Sequence, residues 1–143
     1  MKYSILIDPG REEEIVIYAH EKTRLVERIE ELILGDRDEL IGYRDRGAVM
    51  LDAADVICFS VDDGKVCAVT KQEKLLVKQR LYQLEERFAS DFLKINQSCL
   101  VRVDRIKRFD SSIGGALMVT LDGGYRDYVS RRQMKTVKER MGL

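Results

Sequence analysis

The sequence predicts a mainly β fold with one mid-chain helix, a C-terminal helix and a small α/β appendage at the N-terminus. Short apolar segments rich in β-branched residues recur about every ten residues, which is typical of antiparallel β proteins. Turn signals rich in Gly and Asp separate these segments, as at Asp62-Asp63-Gly64 and Asp122-Gly123-Gly124. Three other segments repeat their apolar residues at spacings of three and four, which predicts amphipathic helices.

The N-terminal elements are predicted as strand, strand and helix. Tyr3–Ile7 and Glu14–Ala19 favour strands, and Pro9-Gly10 marks a turn between them. Apolar residues from Leu25 to Ile33 follow a helical period, and Gly35 stands where that helix should stop. We expect residues 1–47 to form the appendage and residues 48–143 to form the main domain.

The main domain is predicted to alternate hairpins with two helices. The mid-chain helix carries its apolar residues at Val77, Leu81, Leu84 and Phe88, and Ser130 is a plausible N-cap for the closing helix. The strand candidates share short apolar cores bounded by turns, and they are residues 40–43, 48–51, 55–61, 65–70, 95–103, 105–109, 116–121 and 125–129.

The composition fits one soluble domain with, at most, a small appendage. The chain has 143 residues, of which 45% are hydrophobic and 35% charged, with one Pro and no Trp. It contains no apolar run of about 18 residues that would predict a membrane span, and no signal peptide is recognisable. Cys58, Cys67 and Cys99 form no CxxC motif. We therefore expect packing cysteines in a reducing cytoplasm.

Charge is distributed unevenly, although the formal net charge is zero. Residues 1–64 contain 8 basic and 16 acidic side chains, whereas residues 65–143 contain 17 basic and 9 acidic ones. The basic half suggests a surface for nucleic acid. Attraction between the two halves, within one chain or between chains, is the alternative interpretation.

Enzyme, cofactor and metal chemistry find little support in the sequence. His20 is the single histidine, and no Ser or Cys lies in a nucleophile motif. Gly114-Gly115 and Gly123-Gly124 match neither a phosphate-binding loop nor a dinucleotide fingerprint, so they indicate hairpin turns. We expect no enzyme activity, no cofactor and no metal.

Three polar clusters fall at predicted turns or element ends of the basic half. Arg and Lys can bind phosphates or guanine, and Asn and Gln can form two hydrogen bonds with adenine. A helix start adds free N–H groups that suit a phosphate. Taken alone, Lys65 fits an ordinary polar turn better, and each of the other two clusters could equally be one. The clusters are Lys65; Lys94, Asn96, Gln97 and Ser98; and Arg131 with Arg132.

Five motifs in the second part of the chain resemble the LytTR-type DNA-binding domain. The core motif of that family, F-x-R-x-x-x-S-x-[IVL]-V-N, is similar to residues 92–102 here. The other four motifs occur in the family's order. They are the opening strand at Asp55–Phe59, the L-x-x-L-E helix at Leu81–Glu85, Ile106 after the core strand, and the closing V-S-R-x at Val129–Arg132.

The resemblance implies about ten short strands in mostly antiparallel sheets and a particular mode of double-stranded DNA binding. Family members insert loops, rather than a recognition helix, into successive grooves. The three family loops correspond here to Gly64 and Lys65, to Lys94, Asn96 and Gln97 before Ser98, and to Arg131 and Arg132. These are the three clusters already selected from charge and turn position.

Two departures from the family pattern affect the expected contacts. Lys94 stands where the family often has Arg, and a lysine cannot form a two-pronged guanidinium contact. Arg102 replaces the family's Asn, either as a phosphate contact or, as we favour, as a structural substitute.

The short appendage leaves no room for the receiver domain that precedes most LytTR domains. The chain thus resembles compact stand-alone bacterial LytTR regulators, with the motif L-I-G-Y-x-D at Leu40–Asp45 as the bridging segment. We expect a sequence-specific transcriptional regulator that is a homodimer through its N-terminal unit. The alternative is a non-enzymatic module that binds a membrane sensor or another protein partner.

Overall fold

A computed structural model of the chain describes residues 2–35, 39–111 and 114–143. It divides into two compact units, Met1–Leu34 and Gly35–Leu143. The described residues contain ten strands and three α-helices, and every strand pairing is antiparallel. The predicted mainly β architecture is therefore confirmed. No described helix is both long enough and apolar enough to cross a membrane.

The N-terminal unit contains one helix, α1 (Arg24–Gly35), as its apolar period predicted. Thr23 caps it, because its hydroxyl accepts a hydrogen bond from the N–H of Val26 at 3.3 Å. The turn at Pro9-Gly10 is also present, closed by a bond from the N–H of Arg11 to the carbonyl of Asp8.

The two strands predicted at residues 3–7 and 14–19 are not formed, and this part of the prediction was wrong for the single chain. Both segments have the composition of strands, but a strand also requires a partner for its backbone groups, and an isolated two-stranded hairpin is marginal in water. Their apolar side chains consequently remain exposed, with Ile7 at 91% and Tyr18 at 95%.

The larger unit is built on a seven-stranded sheet in the order β2-β1-β5-β4-β3-β7-β6. Successive strands joined by tight turns pair with each other, as two-residue hairpins require. The strands are β1 (Glu39–Arg44), β2 (Gly47–Asp52), β3 (Cys58–Asp62), β4 (Lys65–Val69), β5 (Lys74–Leu76), β6 (Phe92–Asn96) and β7 (Cys99–Arg102).

Strand β1 belongs to this sheet, although the sequence analysis assigned its residues to the appendage. β1 pairs along its whole length with β2 and, at Tyr43, with Leu76 of β5. Leu40 is buried in the same core as Leu75. The division of the chain between Leu34 and Gly35 accordingly assigns β1 to the larger unit.

The first core lies between this sheet and helix α2 (Leu81–Arg87). Three aromatic rings occupy it, and their centroids lie 5.0 to 6.1 Å apart. Leu84 and Phe88, two apolar residues of the predicted helical pattern, are buried in this core. Val77, which belongs to the same predicted pattern, precedes the helix. The rings belong to Phe59, Phe88 and Phe92.

A second core lies between the other face of the large sheet, a three-stranded sheet and the closing helix α3 (Arg131–Met141). The small sheet has the order β10-β9-β8 and consists of β8 (Ile106–Ser111), β9 (Leu117–Leu121) and β10 (Arg126–Val129). Leu93 and Ile95 of β6 face this core, and Phe92 faces the first one. This alternation along β6 joins the two layers.

The three cysteines are free and buried, as predicted. Cys58 and Cys99 lie in the second core on neighbouring strands. A hydrogen bond with Cys58, followed by burial, raises the pKa of the Cys99 thiol far above its usual value. Burial likewise raises the pKa of Cys67. Raised pKa values keep both thiols protonated and unreactive.

The close approach of Gly42 to its neighbours gives the first prediction. A Cβ atom at Gly42 would lie 2.8 Å from Cδ1 and 2.9 Å from Cβ of Leu75, which is too close for real contacts. We expect Gly42→Ala to lower the free energy of unfolding by about 1–3 kcal/mol, since the added methyl overpacks a filled core. Urea unfolding measures this change.

Gly47→Ala is the matched control, since a Cβ at Gly47 would meet nothing nearer than 3.8 Å. Equal stabilities of the two variants would contradict the packing of β1 described above.

Candidate nucleic-acid interface

The first polar loop is the two-residue turn between β3 and β4. Asp62 pairs with Lys65 across the hairpin, and Asp63 and Gly64 form the turn with positive φ angles of 52° and 73°. Two such residues make the type of turn that matches the twist of a hairpin. Lys65 is exposed as β4 begins. Asp62 lies 3.2 Å from the ammonium of Lys74, which offsets its charge.

The second polar loop is the turn between β6 and β7, and it is organised by the buried side chain of Asn96. The Asn96 amide nitrogen donates to the carbonyl of Tyr128 at 2.8 Å and to Oδ1 of Asp127 at 3.2 Å. Its oxygen accepts from the N–H of Ser98 at 2.8 Å. Asn96 is only 2% exposed, whereas Gln97 and Ser98 lie exposed at the tip.

The third polar segment is the start of α3. Ser130 occupies the N-cap position, as predicted, although its hydroxyl makes no capping hydrogen bond. Its N–H instead donates to the carbonyl of Ile95 at 2.8 Å, which fixes the helix start beside β6. Arg131 and Arg132 follow on the first turn and are both exposed.

Hydrogen bonds from the backbone and from the side chain of Asn96 hold these three segments at one end of the β domain. The N–H of Val61, just before the first loop, donates to the carbonyl of Ser98 in the second at 2.9 Å. The bonds made by Ser130 and Asn96 join the second loop to the third segment. We call this end the loop face. Its members are residues 62–65, residues 97–98 and residues 130–132.

The structure thus exposes, on one face, five of the seven residues that the sequence analysis selected as DNA contacts. The other two are not exposed there. Lys65, Gln97, Ser98, Arg131 and Arg132 are exposed on the loop face. Lys94 is half-buried in the middle of β6, and Asn96 is buried with its amide engaged.

Arg102 lies at the far end of β7, away from the loop face. Its guanidinium stacks on Phe92, 5.2 Å from the ring centroid, and pairs with Asp104 at 3.5 Å. This placement agrees with a structural role for the arginine that replaces the family's asparagine.

The cations of the loop face lack ion-pair partners, although the exposed carboxylate of Asp63 belongs to the same face. Among the described residues, Lys65, Arg131 and Arg132 form no ion pair. Elsewhere in the β domain, Arg105 pairs with Asp122 and Arg108 with Asp110. An unpaired cation on an exposed turn is available to an anionic partner such as a DNA phosphate.

Two cations near the first loop escaped the sequence analysis. The N–H of Val77 donates to the carbonyl of Val66, so the chain after β5 runs beside the start of β4. This pairing brings Lys78 and Arg80 to the groove that Lys65 lines. Their basic character was visible in the sequence, but the long-range pairing that places them was not.

Residues 46–142 match the family model LytTR, described as the LytTr DNA-binding domain, and the chain belongs to this family. The family resemblance inferred from the five motifs is therefore confirmed. The β fold also resembles a solved LytTr DNA-binding domain from Bacillus cereus, with a TM-score of 0.70 and 18% identity. That match covers 74% of this chain and 98% of the other.

Relatives of the whole chain occur in Staphylococcus aureus. Two of them, from strains NCTC 8325 and COL, are named uncharacterized HTH-type transcriptional regulators. Each is 30% identical over 146 residues, and the match covers 100% of this chain and 99% of the relative. The similarity therefore extends over the N-terminal unit as well as the LytTR domain.

The family's loops, and not a helix-turn-helix pair, dominate the candidate interface of this chain. Five strands separate α2 from α3 in the described sequence of elements, and five strands also separate α1 from α2. No two of these described helices are joined by the short turn that a helix-turn-helix motif requires.

The buried amide of Asn96 gives the second prediction. Asn96→Ala leaves the carbonyl of Tyr128 and the N–H of Ser98 without their partner. We expect a loss of about 1–3 kcal/mol in the free energy of unfolding, the cost of unsatisfied buried polar groups. Urea unfolding followed by circular dichroism measures it.

Gln97→Ala is the control, because Gln97 is adjacent but exposed, and such substitutions usually stay within about 0.5 kcal/mol. If Asn96→Ala were as stable as Gln97→Ala, the side-chain network would not support the turn.

Proposed function

We propose that this chain is a transcriptional regulator that binds double-stranded DNA sequence-specifically by inserting the loop face into successive grooves. The observation that carries the proposal is the joining of three exposed, cationic or polar loops by short hydrogen bonds at one end of the β domain. Membership of the LytTR family supports it, as do the names of the full-length relatives.

We assign base recognition to the exposed side chains with the richest hydrogen-bonding patterns. Arg131 and Arg132 can form two bonds with guanine, and Gln97 can form two with adenine. Lys65 and Ser98 are suited to phosphates, which position the protein without reading sequence. Lys94, half-buried on β6, supplies positive charge near the second loop.

Asn96, in this proposal, acts by positioning the second loop. Its amide is engaged with Tyr128, Asp127 and Ser98, so little hydrogen-bonding capacity is left for a base. The residue that was selected as a DNA contact thus becomes the support for its neighbour Gln97.

We further propose that a second copy of the chain pairs with the N-terminal unit. Large apolar side chains of two extended segments are exposed, and a monomer rarely exposes a patch of this kind. Segments 3–7 and 14–19 have strand composition and free backbone edges, so strands of a second copy could complete the pairing that one chain lacks. The exposed residues are Tyr3, Ile5, Leu6, Ile7, Ile15, Val16 and Tyr18.

Dimerisation would place two LytTR domains on repeated half-sites and so raise the affinity for DNA. A different protein partner on the same segments is the alternative function, and the oligomeric state of the purified chain separates the two. A regulator of this kind works in the cytoplasm, where free thiols stay reduced.

The third prediction contrasts a base contact with a phosphate contact. We expect Arg132→Ala to weaken binding to a duplex selected from random sequence by about 1–3 kcal/mol, and to weaken binding to unrelated duplex much less. Lys65→Ala should weaken both alike, because phosphates carry no sequence. Fluorescence anisotropy with the two duplexes at several salt concentrations measures each effect.

Lys71→Ala is the control, since Lys71 is exposed at the opposite end of β4 from the first loop. If Arg132→Ala binds the selected duplex with unchanged affinity, Arg132 does not contact a base. If the affinity of the unaltered chain for duplex DNA does not fall as the salt concentration rises, DNA binding itself is rejected.

The fourth prediction concerns the N-terminal unit. We expect the full chain to sediment as a dimer at micromolar concentration, and Ile5→Asp to sediment as a monomer, because a buried unpaired carboxylate opposes apolar pairing. Ser4→Asp adds the same charge one residue away, on the other face of an extended segment, and should stay dimeric.

Analytical ultracentrifugation distinguishes the outcomes. An unaltered chain that remains monomeric, both alone and on a DNA carrying two half-sites, would contradict dimerisation and would favour a different protein partner for these segments.

A further inference from the structure

A groove with a volume of 590 Å³ opens beside the first loop. Its walls are the start of β4, the chain that follows β5, and the ring of Tyr43 on β1. Gly64 and Lys65 belong both to this groove and to the loop face. The groove is thus continuous with the candidate DNA surface.

The lining of the groove is cationic. Lys65, Lys78 and Arg80 all contribute to it, and the ammonium of Lys78 lies 4.8 Å from the centroid of the Tyr43 ring. None of these three cations forms an ion pair among the described residues. No acidic side chain lines the groove, so its charge complements an anion.

Strand order places the groove on the outer side of the first loop. Across the sheet, the order β5-β4-β3-β7-β6 puts the chain after β5 next to the first loop and away from the second. Neighbouring strands are about 4.8 Å apart. The start of α3, the second loop and the first loop therefore follow one another across this end of the domain. Lys78 and Arg80 come next, beyond the residues assigned to bases.

We infer that this groove binds backbone phosphates of the same duplex, outside the segment that the loops read. The inference rests on the proposed function, since it places Lys78 and Arg80 on DNA already held by the loop face. Lysine and arginine donors suit phosphate oxygens. An open groove that continues into the loop face fits a polymer that passes through better than a small phosphate ester that would be enclosed.

The test compares Lys78→Gln/Arg80→Gln with the unaltered chain in anisotropy titrations at several salt concentrations. Each phosphate contact contributes about 0.9 to the slope of log affinity against log salt. We expect the double variant to lower the steepness of that slope by about two, and to weaken selected and unrelated duplexes by the same factor. The ratio of the two affinities should remain unchanged.

The matched control is Lys71→Gln/Lys107→Gln, which removes the same charge at exposed sites away from the loop face. Lys71 lies beyond the far end of β4, and Lys107 lies at the end of the small sheet opposite Ser130. This control should keep the slope of the unaltered chain. Thermal unfolding of both double variants verifies that each is folded.

Duplex length provides a second readout. Extending the selected duplex on both sides should raise the affinity of the unaltered chain more than that of Lys78→Gln/Arg80→Gln. An equal gain for both proteins would overturn the inference.

Two other results separate this inference from the proposed function. If the unaltered chain binds with a steep salt slope that Lys65→Ala reduces and the groove variant does not, the groove inference fails while the proposed function stands. If the unaltered chain shows no salt-dependent binding, the proposed function fails. Calorimetry with inorganic phosphate tests the remaining possibility. Phosphate could bind the unaltered chain, fail to bind the groove variant and not compete with duplex. That result would assign the groove to a free phosphate and overturn the inference.

Discussion

The buried amide of Asn96 connects parts of the β domain that the chain itself separates widely. It lies at the end of β6 in the large sheet, yet it bonds the carbonyl of Tyr128 in the small sheet, 32 residues later. The same side chain closes the turn before β7 through the N–H of Ser98. Because these bonds are shielded from water, they hold with little competition. The loop face depends on this side chain, together with the bond from the N–H of Ser130 to the carbonyl of Ile95, for the relative placement of its second and third segments.

Prediction from the sequence succeeded where the signal was local. The hairpin turns marked by Gly and Asp, the N-cap position of α3 and the motifs from Asp55 to Arg132 depend on neighbouring residues, and the family and the β fold followed from them. The turn at Gln97 and Ser98, which divides the single strand predicted at residues 95–103 into β6 and β7, was not predicted. Prediction from the sequence did not reach features that a distant partner decides. Burial of Asn96 depends on Tyr128, the position of β1 depends on β5, and segment 3–7 has strand composition without a strand to pair with.

The distribution of ion pairs distinguishes two kinds of basic residue in one domain. Arg105, just before β8, and Arg108, on β8, have carboxylate partners. Arg131, Arg132 and Lys65 lack them among the described residues. A net charge of zero for the whole chain therefore conceals a local surplus. Local fields of this kind, and not the total charge, attract a polyanion to a particular surface.

Asn96 and Gln97 place a buried and an exposed side chain at two adjacent positions. The first is buried with its amide engaged, and the second is exposed at the tip of the turn. Exposed side chains of this kind contribute little to folding free energy. Residue 97 is thus free to change identity without endangering the scaffold, and the same holds for residues 131 and 132. Under the proposed assignment of base contacts, a lineage can drift toward new operators through these three positions while the architecture beneath them stays constant.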